Sequence, residues 1–235
     1  MIQAPIETPS DWDGVALVAF DVDGTLYNQW PLRLRMAREM LHWAVRRRTF
    51  RFIAVVTAYR RIRERLSEQG AEDFERRLIA ETAAATGCSG AAVRAIVGEW
   101  IERRPLRYLA RCRYPGLPSL FAGLRRCGKT IGIFSDYPAR AKLAALNLAA
   151  DFVVSAHDPG IGTLKPHPRG LEYLMAAAGV TPPQTLLIGD RQDRDGLAAL
   201  RAGARILLRS PKPIKGWQTF RRYDDPLFAP ILNEY

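Results

Sequence analysis

From residue 15 to 20 the chain runs Val-Ala-Leu-Val-Ala-Phe with no polar side chain, then breaks into Asp21-Val22-Asp23-Gly24-Thr25. A short apolar run closed by turn residues is the pattern of a strand buried on both faces. The pattern returns at residues 130–134, 152–154, 185–188 and 205–208. Helical spacing fills the intervals, with Leu120, Phe121 and Leu124 on one face, then helices over about 139–146, 168–178 and 196–202. Strands alternating with helices predict a doubly wound α/β fold, a parallel sheet covered on both faces.

The alternation is interrupted once. Residues 28–114 contain no isolated strand pattern and read as four helices. Leu32, Met36, Met40 and Trp43 recur at helical spacing in the first. The second spans about 50–69 and contains Phe52-Ile53-Ala54-Val55-Val56-Thr57, which could pass for a strand but sits in helical context. Gly70 stops it, a third covers about 72–86 before Gly87, and Ser89 can cap a fourth that ends ahead of Pro105. Tyr114-Pro115-Gly116-Leu117-Pro118 marks the return to the alternating pattern. The expected organisation is therefore an α/β core from residues 1–27 and 115–209, an all-α insert at 28–114, and an extension at 210–235. That extension carries Trp217, Phe220, Tyr223 and Phe228, too aromatic for a disordered tail, and is expected to pack on the core or a neighbouring subunit. Trp12 is expected to join the core.

Charge sharpens this division. The net charge is +11 over 235 residues, and the insert holds 19 arginines, no lysine and 9 acidic residues, a net +10 against +1 for the rest. A basic module beside an acidic motif suggests an anionic ligand, although a solvated helical surface has the same composition. An Arg-rich insert also admits nucleic-acid binding, but no aromatic-interleaved motif supports it, so a nucleic-acid partner is not expected. No apolar run approaches the length of a membrane span, so no membrane partner is expected. The three cysteines, Cys88, Cys112 and Cys127, lack metal-ligand spacing. With no apolar leader near the N-terminus, a cytoplasmic protein, monomeric or homodimeric, is the expectation.

Parallel strands share one carboxyl edge, where ligands of such sheets bind. That edge collects Asp21 and Asp23, Ser135 with Asp136, Lys165 in the following loop, and Asp190, Asp193 and Asp195. Asp21 and Asp23 lie on the same side of an extended chain, and two close carboxylates repel unless a cation or shared proton separates them. Asp23-Gly24 alone would read as an ordinary turn.

Taken in order, Asp21-Val22-Asp23-Gly24-Thr25-Leu26, Ser135, Lys165-Pro166 and Gly189-Asp190 followed by Asp195 resemble the four motifs of the haloacid dehalogenase (HAD) superfamily. The resemblance implies a Rossmann-like core over about residues 15–209, with the insert placed as a type C1 helical cap. It implies a phosphatase in which Asp21 attacks phosphorus to form an aspartyl-phosphate and Asp23 serves as general acid and base. Ser135 and Lys165 would hold the phosphoryl group, with backbone N–H groups near Val22, Asp23 and Asp136, while Thr25 supports the loop. Mg2+ would sit on Asp21, the Asp23 carbonyl and Asp190, with Asp195 orienting a bound water; Asp193, nearer in sequence, competes for that place. A carboxylate at Asp23 implies phosphate esters rather than halides or phosphonates. The expected substrate is a small phosphorylated metabolite, such as a sugar phosphate or nucleotide, with a phosphomutase as the rival on the same scaffold. Arg33, Arg35, Arg60 and Arg61 are candidates for a second anionic group. His42 reads as a surface or packing residue, and His157 and His167 as loop residues that could reach substrate.

Overall fold

The computed structural model describes residues 12–233. Its centre is a parallel sheet of β1 (Leu17–Phe20), β2 (Thr130–Ser135), β3 (Phe152–Ser155), β4 (Thr185–Gly189), β5 (Arg205–Arg209) and β6 (Thr219–Phe220). Their spatial order is β3-β2-β1-β4-β5-β6. β1 is flanked on both sides, with Phe20 in register with Ile133 and Ile188, and all four of its residues are fully buried. The doubly wound α/β expectation therefore holds, extended by one strand.

Alternation along β1 feeds two cores. Val18 and Phe20 face one side with Leu120, Phe121 and Leu124 of α6 (Leu117–Arg126). Leu17 and Ala19 face the other with Leu171 and Leu174 of α8 (Arg169–Ala178) and Ala198 and Ala199 of α9 (Leu197–Ala202). Gly132 and Gly170 sit where a Cβ would meet Leu174 at 2.6 Å and the Phe134 ring at 2.3 Å, so the absence of side chains lets α8 lie close to the sheet.

The intervening segment folds as α1 (Gln29–Arg47), α2 (Arg51–Glu68), α3 (Phe74–Thr86), α4 (Gly90–Val97) and α5 (Leu106–Cys112), with a π-helical turn at Gly98–Arg103. The strand-like run 52–57 is helix because Phe52, Val55, Val56, Tyr59, Ile62 and Leu66 line a single buried face. Ser89 caps α4 through Ala92 N, as expected. α5 was not anticipated: Pro105 stops one helix but stands just before the next, where its missing N–H costs nothing. These helices have a core of their own, Val55, Leu66, Phe74, Leu78 and Val93 among others, which also takes in Ala156 and Leu164 from the sheet's loops.

The 210–233 segment packs on the α/β portion. Ser210 N donates to Phe220 O, completing the short β5–β6 pairing. Phe220, Tyr223 and Phe228 pack edge-on and tilted in a cluster with Trp12, whose indole N–H donates to Leu227 O at 3.0 Å. Trp217 covers Gly196, where a Cβ would meet its ring at 2.5 Å.

Candidate active site

The carboxyl ends of β1, β2 and β4 open into a cavity of about 540 Å³, roofed by α1, α2 and α5. Lys165 stands at its floor, buried, with Nζ 2.6 Å from Asp21 Oδ1, 2.6 Å from Asp195 Oδ1 and 3.0 Å from the Phe134 carbonyl. Two carboxylates and a carbonyl around one ammonium hold its pKa above the ordinary lysine value despite burial. Thr25 Oγ1 donates to Asp21 Oδ2 at 3.0 Å, fixing the carboxylate's second oxygen. Asp195 is fixed in turn by the backbone N–H groups of Asp190 and Arg191, at 3.1 and 3.0 Å.

Carboxylate oxygens of Asp21, Asp190 and Asp195 lie within 4.8 Å of one another. Burial and the neighbouring acids push Asp21 up to about 7 and Asp190 up to about 8. Hard oxygen donors whose mutual repulsion a divalent ion would relieve suit Mg2+. Asp193, the competing candidate, lies outside this group on the surface, ion-paired to Arg191 at 2.6 Å. Gly24 makes the arrangement possible: it adopts φ +102°, and a Cβ there would sit 2.1 Å from Asp190 Oδ2.

Asp23 opens onto the same cavity but has separate partners. Lys142, from α7 (Arg140–Leu146), places Nζ 2.6 Å from each of its oxygens, and the Tyr27 hydroxyl donates to Oδ1. Burial alone would raise the Asp23 pKa; Lys142's charge and hydrogen bonds, with Tyr27, bring it below the usual carboxylate value. Neither partner was picked out from sequence. Lys142 sits in the first turn of α7 with no motif around it.

The remaining candidates divide. Ser135 is fully buried, and its Oγ accepts from Tyr137 N at 3.2 Å instead of lining the cavity. The Asp136 carboxylate accepts from Lys165 N at 2.9 Å, tying the β2 end to the lysine loop. Arg33 and Arg60 line the cavity, whereas Arg61 is exposed elsewhere and Arg35 turns toward Cys112 Sγ. His42 is exposed. His157 and His167 do not line the cavity; the latter's Nδ1 accepts from Arg169 N. Arg63 and Arg194, neither singled out from sequence, are the buried arginines of the cavity lining, and Arg63 comes from the roof. The Arg63 guanidinium donates to the Asp136 carbonyl and lies 3.8 Å over the Tyr137 ring. With Glu64, paired to Arg191 and Arg194, and Ser67, which donates to the Lys165 carbonyl, Arg63 joins α2 to the loops at the strand ends.

The model of haloacid dehalogenase-like hydrolases matches residues 15–203. The chain belongs to that family. Among solved structures, this HAD-like hydrolase resembles the magnesium-bound HAD-hydrolase YfnB from Bacillus subtilis (18% identity, 94% of this chain and 99% of that one, TM-score 0.65). It also resembles a 2-haloacid dehalogenase from Pseudomonas syringae pv. Tomato DC3000 (19%, 93% and 98%, TM-score 0.63) and a HAD phosphatase from Thermococcus onnurineus (18%, 92% and 95%, TM-score 0.56). At such identities the likeness is one of fold, and it spans dehalogenases and phosphatases alike. No curated protein matches the HAD-like hydrolase in sequence.

Proposed function

We propose that this HAD-like hydrolase is a Mg2+-dependent phosphoric monoester hydrolase acting on a small phosphorylated metabolite, with residues 28–114 as its C1 cap. The supporting observation is the Asp23 carboxylate, exposed to the cavity beside Asp21 and oriented by Lys142 and Tyr27. A halide leaves without a proton, whereas an alkoxide leaving from phosphorus needs one, and only the second chemistry uses an acid at this place.

Asp21 attacks phosphorus, the ester P–O bond breaks, and the leaving oxygen takes a proton from Asp23. An incoming dianion beside Asp23 raises its proton affinity, so the carboxylate takes up a proton from solvent as the ester binds, and this is the proton it gives to the leaving oxygen. Asp23 then removes a proton from the water that hydrolyses the aspartyl-phosphate. Lys165 holds Asp21 and offers positive charge to the phosphoryl oxygens. Asp21, the Asp23 carbonyl and Asp190 would hold Mg2+, with Asp195 behind them. Bound there, the cation offsets the repulsion between an anionic nucleophile and an anionic ester. Ser135, in this reading, acts by shaping the turn that carries Asp136.

The test is hydrolysis of p-nitrophenyl phosphate and a panel of sugar phosphates and nucleotides, with magnesium and with EDTA. Magnesium-dependent phosphate release is expected, with none detectable from Asp21→Asn, which should stay folded by circular dichroism. Full activity in that variant, or chloride release from 2-chloropropionate in place of phosphatase activity, would overturn the assignment. Isomerisation of a hexose phosphate without net phosphate release would favour the mutase.

A further inference from the structure

α1 is apolar on two opposite sides. Leu32 and Met36 are buried and, with Met40, form a wall of the catalytic cavity. On the outer side Trp30, Leu34, Leu41 and Val45 are 71%, 38%, 57% and 63% exposed. Their spacing keeps these four on one stripe of the helix. Phe50, 58% exposed, follows just beyond its end. These five account for most of the large exposed apolar side chains among the described residues. Scattered apolar residues on a surface are ordinary; an aligned set is not.

The charge around the stripe is of one sign. Arg38 flanks the stripe and Arg48 follows at the end of the helix, both exposed and neither in an ion pair among the described residues. The single acid of the helix, Glu39, points the other way, held by Arg104 at 2.5 Å and Tyr108 at 3.0 Å. A second copy of the chain docking stripe to stripe would set these arginines against themselves. A nucleic acid would satisfy the arginines and leave the apolar stripe facing phosphate. A surface that is apolar in depth and anionic at its head groups matches both features: the stripe enters the acyl boundary while the arginines reach the phosphates. From Trp30 to Val45 the stripe extends about 22 Å along the axis, and no helix of the described residues is long and apolar enough to cross a membrane.

We propose that α1 docks this protein on an anionic lipid surface, lying in its plane. The proposal goes beyond the sequence expectation of no membrane partner, which rested on the lack of a spanning segment. Because the inner side of the same helix walls the cavity, docking sets the catalytic chamber against the bilayer. The inference stands on the outer face alone and does not require the phosphatase reading.

Sedimentation of the full chain with vesicles tests it, using phosphatidylcholine alone and an equimolar mixture with phosphatidylserine. Binding to the mixed vesicles is expected, at least about tenfold tighter than to phosphatidylcholine and weakened by added salt. Leu41→Gln with Val45→Gln should abolish it while leaving turnover of a soluble ester unchanged. Arg38→Gln and Arg48→Gln should each weaken it about fivefold. The proposal is overturned by absence of binding to the anionic vesicles, by equal binding to both kinds, or by binding that survives the paired glutamines. A concentration-dependent dimer in analytical ultracentrifugation, lost in the same paired variant, would assign the stripe to a second copy. Stripe-dependent binding of RNA without vesicle binding would assign it to nucleic acid. Loss of phosphatase activity in every assay leaves the vesicle result unaffected, so the two readings fail separately.

Discussion

Lys142 Nζ lies 2.6 Å from both carboxylate oxygens of Asp23, a symmetric grip on the acid that faces the cavity beside Asp21. Lys142→Met removes that grip and leaves only the Tyr27 hydroxyl to orient the carboxylate. A fall in kcat of about 10–100-fold is expected, with KM little changed and partial recovery in Lys142→Arg. The deficit should be larger for an alkyl phosphate than for p-nitrophenyl phosphate, whose leaving group needs no proton. Equal deficits on the two substrates would show that Lys142 serves the fold rather than the acid.

His157 gives the fold a pH dependence separate from catalysis. Its ring is enclosed at the base of the helical segment, with Arg63 3.4 Å from Nε2, Glu75 3.4 Å from Nδ1 and the Phe74 ring edge-on. Burial and then the Arg63 charge push its pKa down to about 4, against the opposing pull of Glu75 and Asp158. The unfolded chain therefore binds a proton near the ordinary histidine pKa while the native state does not. Stability is complete above that value and drains away as pH falls toward 4, by up to about 3 kcal/mol. The raised Asp21 and Asp190 contribute a slope of the opposite sign, common to wild type and variant, so the test is the difference: by urea denaturation the wild type should lose stability relative to His157→Gln on going from pH 7 to pH 5.

Tyr223 donates to the Thr25 carbonyl at 2.8 Å across 198 residues of sequence, and Phe228 lies fully buried beside it. Tyr223→Phe leaves a buried carbonyl without its donor, at a cost of about 1–3 kcal/mol. Phe228→Ala should cost about 3–5 kcal/mol. Both are read as lowered denaturation midpoints, and the first should also lower kcat, because Thr25 orients Asp21.

Gly24→Ala combines a left-handed backbone with a Cβ 2.1 Å from Asp190 Oδ2. Destabilisation of about 1–3 kcal/mol is expected from the backbone alone. The displaced Asp190 should raise the magnesium concentration needed for half-maximal activity, a shift that a purely global loss of stability would not produce.

The chain order of chemistry was legible because it rides on strand ends. Asp21, Lys165, Asp190 and Asp195 each follow or adjoin an apolar run, and parallel strands gather such ends at one edge. The choice between Asp193 and Asp195 was not legible, since it depends on a π-helical turn over Gln192–Gly196 that directs one acid inward and the other to solvent. Arg63 and Lys142 escaped because each sits on a helix face whose direction is set by packing, not by any local pattern. α5 and β6 escaped for a different reason: seven residues behind a proline, and two residues behind Pro213, are too short to carry periodicity.

The hydrogen bond from Tyr223 to Thr25 also orders events during synthesis. The loop bearing Asp21 leaves the ribosome early, yet its brace is made only after nearly two hundred further residues have followed. The loop bearing Asp21 thus gains this brace only once Tyr223 has been made, and a chain halted before that point would carry Asp21, Lys165 and Asp190 without it.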